Sequence, residues 1–196
     1  MLVPDSLRAR ARVELTAKEL KGRAVILVKR PDLVRIEILG PLGQAVSVLV
    51  SDSRRIALYS EGKVKSYRWD DPAQPYPFGA RELVSFLMGM PRGTYPEGGG
   101  RAGRGGRGDS GGSGGDYEFS TDGDGRVSKL VKFEDGVLVL KAAMEDYREI
   151  EGVVVPMSVS IENGEGERLL ISYSSVEVNP EMERELFNLP DSISTP

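Results

Sequence analysis

Apolar and polar residues alternate with a period of two over roughly the first third of the chain. In the clearest segment, Val34, Ile36 and Ile38 share one side, and charged residues occupy the other. Short segments with this period, separated by turn residues, are typical of antiparallel strands. The pattern predicts six strands, which run from Arg8 to Thr16, Gly22 to Lys29, Leu33 to Leu39, Gln44 to Val50, Arg54 to Ser60 and Lys63 to Trp69.

A helical period marks residues 79–90, where Leu83, Phe86, Leu87 and Met90 fall on one face. The proline that follows ends this helix. The period of two resumes near residue 116 and predicts five further strands and a short C-terminal helix. The strands run from Tyr117 to Thr121, Arg126 to Glu134, Val137 to Glu149, Val153 to Glu162 and Glu167 to Val178, and the helix from Pro180 to Phe187.

Many of these strands are apolar on one side only, and that side needs a cover. Over residues 153–161, for example, every second residue is apolar, and Met157 is one of them. One helix of about a dozen residues covers little of such a sheet, so the sheet must curl over itself. The sequence therefore predicts a mainly β fold, in which one antiparallel sheet of about eleven strands curls around an apolar interior able to hold a greasy ligand.

The length of 196 residues fits a single domain over residues 1–196, interrupted by a glycine-rich insertion. Residues 98–115 contain no apolar residue larger than Ala102, so they gain too little burial to fold, and we predict disorder there. The Arg-Gly-Asp tripeptide at 107–109 and a nearby Arg-Gly-Gly spacing are weak signals for adhesion or RNA binding, because aromatic residues for stacking are missing. A plain flexible insertion is the favoured interpretation.

The chain contains neither cysteine nor histidine. This excludes disulfides, thiolate nucleophiles, imidazole bases and zinc sites with sulfur or imidazole ligands. Residues 121–125 match only the start of a calcium loop, so a hairpin turn is favoured there. A hydrolase with paired carboxylates stays open as an alternative, although no two acidic residues stand out. We expect no enzyme activity, no cofactor and no metal site, and the net charge of −4 argues against a nucleic-acid partner.

The turn from Gly40 to Gly43 joins two strongly patterned strands. Pro41 at its second position and Gly43 at its fourth fit a type I turn, which places Leu42 at the tip, facing water. A single exposed leucine is common in proteins. Burial of that leucine in a membrane or a partner would nevertheless yield about 1.5–3 kcal/mol, enough for a reversible contact.

Three segments of the chain carry a family resemblance. The first is Val34-Arg-Ile-Glu-Ile-Leu-Gly-Pro-Leu-Gly-Gln, the second is Leu83-Val-Ser-Phe-Leu-Met-Gly-Met-Pro, and the third runs from Tyr147 to Val178. In order and spacing they resemble LolB, the outer-membrane lipoprotein receptor, and the related LolA-type carriers. In that family the turn reads Asn-Pro-Leu-Gly, the helix ends in Leu-Gly-Leu-Pro, and the last strands follow. The resemblance covers nearly the whole chain apart from the glycine-rich insertion.

The resemblance implies an open antiparallel half-barrel with a small helical lid, whose cavity holds the acyl chains of lipoproteins or another lipid. It implies a role in lipoprotein localisation, with the inner surface of the outer membrane and a periplasmic carrier protein as candidate partners. It also implies that Pro41, Leu42 and Gly43 form a loop for transfer or membrane insertion. The residues expected to line the acyl site are Ile36, Ile38, Val46, Val48, Leu83, Phe86, Leu87, Met90 and Met157.

Two features differ from the family pattern. LolB is attached through an N-terminal cysteine, and here neither a leader nor a cysteine is visible. The resemblance implies a location in the periplasm or at the inner face of the outer membrane, which would require a leader missing from this sequence; the sequence by itself also allows a cytosolic chain. The family's first helix should precede Leu7, where few residues remain. The alternative from another class is an interaction or scaffold protein that acts through the Gly/Arg-rich linker, with a β core filled by its own side chains.

Overall fold

The computed structural model describes residues 3–16, 20–71, 76–89, 108–109 and 116–189. These residues form one antiparallel sheet of twelve strands, one of which contains only two residues. The strands are β1 (Ser6–Leu15), β2 (Leu20–Lys29), β3 (Leu33–Leu39), β4 (Ala45–Ser51), β5 (Arg55–Ser60), β6 (Lys63–Arg68), β7 (Gly108–Asp109), β8 (Asp116–Thr121), β9 (Val127–Glu134), β10 (Val137–Ile150), β11 (Val153–Asn163) and β12 (Arg168–Val178). The predicted mainly β fold is confirmed, and each of the strands expected from the alternation is present.

The strand order places the first and the last strand side by side in the centre of the sheet. From edge to edge it is β6-β5-β4-β3-β2-β1-β12-β11-β10-β9-β8-β7. The sheet therefore consists of two meanders, which we call the N-terminal wing (β1–β6) and the C-terminal wing (β7–β12). The wings join where β1 pairs with β12, with Leu7 opposite Val178 and Val13 opposite Ile171.

The helix α1 (Ala80–Met88) lies on one face of the sheet, which we call the inner face. It contacts β2 and β3 of the N-terminal wing and β10 and β11 of the C-terminal wing. In a flat sheet, the strands from β3 to β10 would span roughly 24 Å. A nine-residue helix is only about 14 Å long and about 10 Å wide. The sheet therefore curls around α1, as the lack of other cover predicts.

The inner face forms the main hydrophobic core. One row of side chains crosses four neighbouring strands where Val13, Ile171, Val159 and Met144 pair in register. All four are at most 1% exposed. This row runs from the N-terminal wing into the C-terminal wing, so the core is continuous across the junction between them.

Glycines bound α1 at both ends. The Glu82 carboxylate accepts a hydrogen bond from the Gly79 N–H at 2.8 Å, the bond that the third helical residue makes in a capping box, whereas Gly79 has no side chain to return it. Gly89 has φ +80° and ψ 151°, a conformation that favours glycine. The helix thus ends before the predicted Met90, which lies outside the described residues, because Gly89 and not the following proline terminates it. In the described ranges, no helix has the length and hydropathy needed to cross a membrane.

The C-terminal segment covers the opposite, outer face of the N-terminal wing. Of the helix predicted from Pro180 to Phe187, only Arg184–Phe187 is helical, as a 3-10 turn whose start has no side-chain cap. Met182 and Phe187 pack with Leu27 in a second, smaller core. A backbone bond also fixes the start of this segment, where the Asn179 N–H donates to the Ser6 carbonyl at 2.9 Å.

Of the predicted glycine-rich insertion at 98–115, only Gly108 and Asp109 belong to the described residues. They form β7, where Gly108 pairs with Tyr117 and Asp109 with Asp116. The rest of the insertion, and the disorder predicted for it, lie outside the part of the chain that the structure describes.

Candidate functional site

The candidate site is the inner face of the sheet together with α1, which covers it. Leu83, Phe86 and Leu87 of α1 are 0–2% exposed. On the strands beneath, Ile36 and Met157 belong to the same core. Side chains of the helix therefore occupy the space that the sequence analysis assigns to a ligand.

One of the predicted lining residues does not share this face. Ile38 lies on the inner face opposite Ser47, so even-numbered residues of β3 share a face with odd-numbered residues of β4. Val48 instead pairs with Glu37 and packs in a small core on the outer face. The prediction that Val48 lines the acyl site is therefore wrong, because the turn between β3 and β4 decides which of their residues share a face. Val46 lies beside a shift in register and is 39% exposed, and its place at the acyl site stays a prediction.

Two buried side chains of α1 were not predicted from the sequence. Val84 and Met88 are fully buried, although the helical spacing singled out other positions. Their signal lay in the consecutive apolar residues 83–84 and 86–88, which widen the apolar face of the helix. A face this wide is typical of a helix that is enclosed on several sides.

Hydrogen bonds fix the C-terminal end of α1. Tyr173 on β12 donates from its hydroxyl to the Leu87 carbonyl at 3.0 Å. Burial raises the pKa of Tyr173, so the hydroxyl keeps the proton that it donates. Arg30 donates to the Gly89 carbonyl at 3.2 Å and to the Pro4 carbonyl at 3.0 Å. The bonds to Leu87 and Gly89 satisfy carbonyls that the end of a helix leaves without a partner, and the bond to Pro4 holds the Arg30 side chain in place.

The N-terminal end of α1 is tied to the C-terminal wing. The Tyr117 hydroxyl on β8 donates to the Glu82 carboxylate at 2.7 Å. Burial and the neighbouring Glu82 raise the pKa of Tyr117. The Lys132 ammonium on β9 donates to the Pro77 carbonyl at 2.9 Å and lies 3.1 Å from the Glu134 carboxylate. Side chains from both wings therefore hold α1 against the sheet.

The β3–β4 hairpin carries an exposed leucine at its tip. The Gly43 N–H donates to the Gly40 carbonyl at 3.0 Å, which closes a four-residue turn around Pro41 and Leu42. Leu42 is 92% exposed, so the structure places it where the turn pattern predicts. A role in membrane insertion stays a prediction for this loop.

Further exposed apolar residues lie at the same end of the sheet, which we call the hairpin end and which carries the β3–β4, β5–β6 and β9–β10 turns. Val64 near the start of β6 is 44% exposed, and Val137 at the start of β10 is 64% exposed. Of the five large apolar side chains exposed in the described residues, four lie at this end, namely Leu42, Val46, Val64 and Val137. The fifth, Leu186, belongs to the C-terminal segment.

A cavity of about 590 Å³ lies on the outer face, between the C-terminal segment and the strands β2 and β3. Its walls are formed by Val25, Leu27, Arg35, Glu37, Glu185, Leu186, Asn188 and Leu189. The Arg35 guanidinium donates to the Leu186 carbonyl at 3.1 Å and forms an ion pair with Glu37, so the polar groups of the cavity largely satisfy one another. No local pattern in the sequence predicts this cavity, because the residues of its two walls are far apart in the chain.

The fold has relatives among solved structures. A LolA superfamily protein from Nitrosomonas europaea matches with a TM-score of 0.60 and 13% identity, over 95% of this chain and 91% of that chain. A DUF1329 family protein from Desulfovibrio piger matches with a TM-score of 0.60 and 11% identity, over 94% and 90%. A domain from Vibrio parahaemolyticus, named for outer membrane lipoprotein sorting, matches with a TM-score of 0.52 and 12% identity, over 93% and 89%. No protein-family model and no curated protein sequence matches the chain.

Proposed function

We propose that this chain, which has a LolA-like fold, is a non-catalytic protein that holds acyl chains of a lipid or lipoprotein on its inner face. One observation carries the proposal: an apolar face that is continuous across both wings is covered, among the residues that the structure describes, by a single nine-residue helix. The helix α1 can move away without breaking the sheet, because the backbone hydrogen bonds of a sheet run between its strands. The proposed role is lipoprotein localisation at the periplasmic side of the outer membrane.

An acyl chain can bind only if α1 moves away and the acyl chain takes its place. The move exposes five large buried side chains, namely Leu83, Val84, Phe86, Leu87 and Met88. At about 1.5–3 kcal/mol each, their exposure costs about 8–15 kcal/mol. An acyl chain of about sixteen methylenes gains about 13 kcal/mol at about 0.8 kcal/mol per group. The two terms are similar, so the exchange is reversible, as a protein that takes up and releases lipid requires.

Mass spectrometry of the protein after gentle extraction tests the acyl site. We expect copurified lipid, and binding of a fluorescent fatty acid that a saturated fatty acid displaces. Two matched variants locate the site, because Ile38 and Val48 lie on neighbouring strands but on opposite faces of the sheet. Ile38→Asn should weaken fatty-acid binding, and Val48→Asn should not. Absence of both copurified lipid and fatty-acid binding would refute the proposal.

A separate experiment tests the loop at Leu42. Leu42→Glu should preserve fatty-acid uptake and abolish delivery of a labelled lipoprotein to liposomes, because a charged tip cannot enter the bilayer interior. Val137→Glu is the control, since Val137 is also exposed at the hairpin end but lies on the other wing. Normal delivery by Leu42→Glu would identify Leu42 as an ordinary turn residue.

The second candidate function is an interaction or scaffold role through the Gly/Arg-rich linker. It is favoured by one observation, the filling of the inner face by the side chains of α1, because a self-filled core needs no ligand. Deletion of residues 98–115 separates the two candidates. Lipid binding should survive the deletion if the inner face is the site, whereas association with a partner should disappear if the linker is.

A further inference from the structure

Three exposed arginines lie together on the outer face where the two wings meet. Arg10 and Arg12 belong to β1, and Arg23 on β2 lies directly opposite Arg12. Like charges placed opposite each other on antiparallel strands destabilise the pair. The protein nevertheless concentrates these cations in one place while its net charge is −4. Such an arrangement calls for an anionic partner.

The acidic residues around this arginine patch (Arg10, Arg12 and Arg23) are already paired. Glu14 lies 2.9 Å from Lys21, and Glu177 lies 3.3 Å from Arg8. Across the part of the chain that the structure describes, none of the three arginines forms an ion pair or a side-chain hydrogen bond. On the adjacent β12, exposed hydroxyl groups continue the patch, with Ser172 opposite Arg12 and Ser175 opposite Arg10.

The arginine patch lies at the base of the hairpin that carries Leu42. Arg23 is opposite Leu39, the last residue of β3, and Leu42 follows three positions later. The chain reverses between Pro41 and Leu42, so at about 3.3 Å per residue the tip lies roughly 7 Å beyond Arg23 along the strand. This distance is close to the Debye length of about 8 Å at physiological salt, and a long arginine side chain reaches further toward a surface. A bilayer that receives Leu42 would therefore meet Arg12 and Arg23 at the level of its headgroups.

We propose that the arginine patch is a docking surface for a bilayer that contains anionic phospholipid, and that it acts together with the Leu42 hairpin. The inference rests on the proposed function for the membrane contact and adds the lipid class that this contact recognises. A bilayer fits better than an acidic protein segment, because the patch adjoins a leucine that is 92% exposed. Arg12 and Arg23 attract the anionic headgroups, and the Leu42 side chain inserts into the bilayer.

Cosedimentation with two kinds of vesicle tests this docking surface. One kind contains phosphatidylcholine alone, and the other also contains phosphatidylglycerol. Each arginine near an anionic surface strengthens binding about fivefold, so the double variant Arg12→Gln/Arg23→Gln should bind the anionic vesicles about 25-fold more weakly. Its binding to neutral vesicles should not change. Added salt should weaken the binding of the wild-type protein to anionic vesicles, and it should weaken the binding of the double variant less.

The control is Arg54→Gln/Arg55→Gln, which removes the same charge at the β4–β5 turn, the opposite end of the sheet. An equal loss in this control, or no loss in Arg12→Gln/Arg23→Gln, overturns the docking surface. Fatty-acid uptake by the double variants distinguishes this failure from failure of the proposed function. If uptake is normal and the wild-type protein binds both kinds of vesicle equally, only the docking surface is wrong. If uptake is absent and anionic binding still requires the arginines, only the acyl site is wrong.

Discussion

Replacement of Tyr173 by Phe should open the lid without disturbing the apolar packing beneath it. The ring of Tyr173 stays in place, and only the hydroxyl that donates to the Leu87 carbonyl at 3.0 Å is lost. That carbonyl belongs to the last turn of α1, where it has no partner within the helix. In the closed form it would become a buried acceptor without a donor. When α1 moves away, water can satisfy it.

The magnitude follows from this difference between the two states. An unsatisfied buried acceptor costs about 1–3 kcal/mol, and the cost falls on the closed form alone. A shift of about 1–3 kcal/mol changes the ratio of open to closed molecules by a factor of about 5–150. Where the closed form dominates, the apparent Kd for an acyl chain falls by the same factor. The variant Tyr173→Phe should therefore bind a fluorescent fatty acid more tightly than the wild-type protein, although it is less stable.

The matched control is Tyr147→Phe. Tyr147 also donates a hydrogen bond from a partly buried hydroxyl, at 2.7 Å to the Val127 carbonyl, but that acceptor belongs to β9 and not to α1. Denaturant unfolding should show that both variants lose stability, whereas fatty-acid titration should show tighter binding only for Tyr173→Phe. Unchanged or weaker binding by Tyr173→Phe would refute the reasoning, as would equal tightening in both variants.

Three further results are expected. Gly89→Ala should lower the free energy of unfolding by about 1–3 kcal/mol in urea titration, because φ is +80° and the new Cβ would lie 3.1 Å from Pro156; an unchanged midpoint would contradict this. Arg12→Gln should raise the free energy of unfolding by about 0.2–1 kcal/mol at low salt, since it removes the repulsion from Arg23, and the gain should shrink at high salt. Burial raises the pKa of Tyr147 from 10.0 to about 12, so the stability that it contributes is complete below pH 10 and lost as the pH rises toward 12. The loss of stability in this range, measured by urea unfolding at several pH values, should be smaller in Tyr147→Phe.

The strands were predictable because their signal is local. A residue on a strand points to the face opposite its neighbours, and the alternation from Val34 to Ile38 is enough to locate β3 and its apolar side. The helix was predictable for the same reason, although its end at Gly89 shows that a backbone conformation can stop a helix before a proline does. The curled sheet followed from counting the residues available to cover it.

The placement of strands relative to one another was harder to predict from the sequence. Whether Val48 shares the face of Ile36 depends on one residue more or less in the turn between them, and here a shift in register next to Leu39 helps to set it. The bond from Tyr173 to the Leu87 carbonyl joins residues 86 positions apart, and no local pattern reveals it. The C-terminal segment on the outer face was unexpected for the same reason. Alternation shows which residues of one strand share a face. Only the pairing between strands shows which of these groups lie on the same face of the sheet.

The pairing of β1 with β12 has a consequence for how the chain folds. Arg8 and Glu177 meet across this junction although they are 169 positions apart, so its formation closes a loop that contains most of the chain. Contacts of this length slow folding, because the entropy of closure is lost before the contact is gained. During synthesis, the strands of the N-terminal wing can pair with one another, while the edge of β1 that pairs with β12 stays unpaired. An unpaired edge of this kind can recruit another chain. Until the last strand has been made, this edge of the nascent protein is therefore its most direct route to self-association.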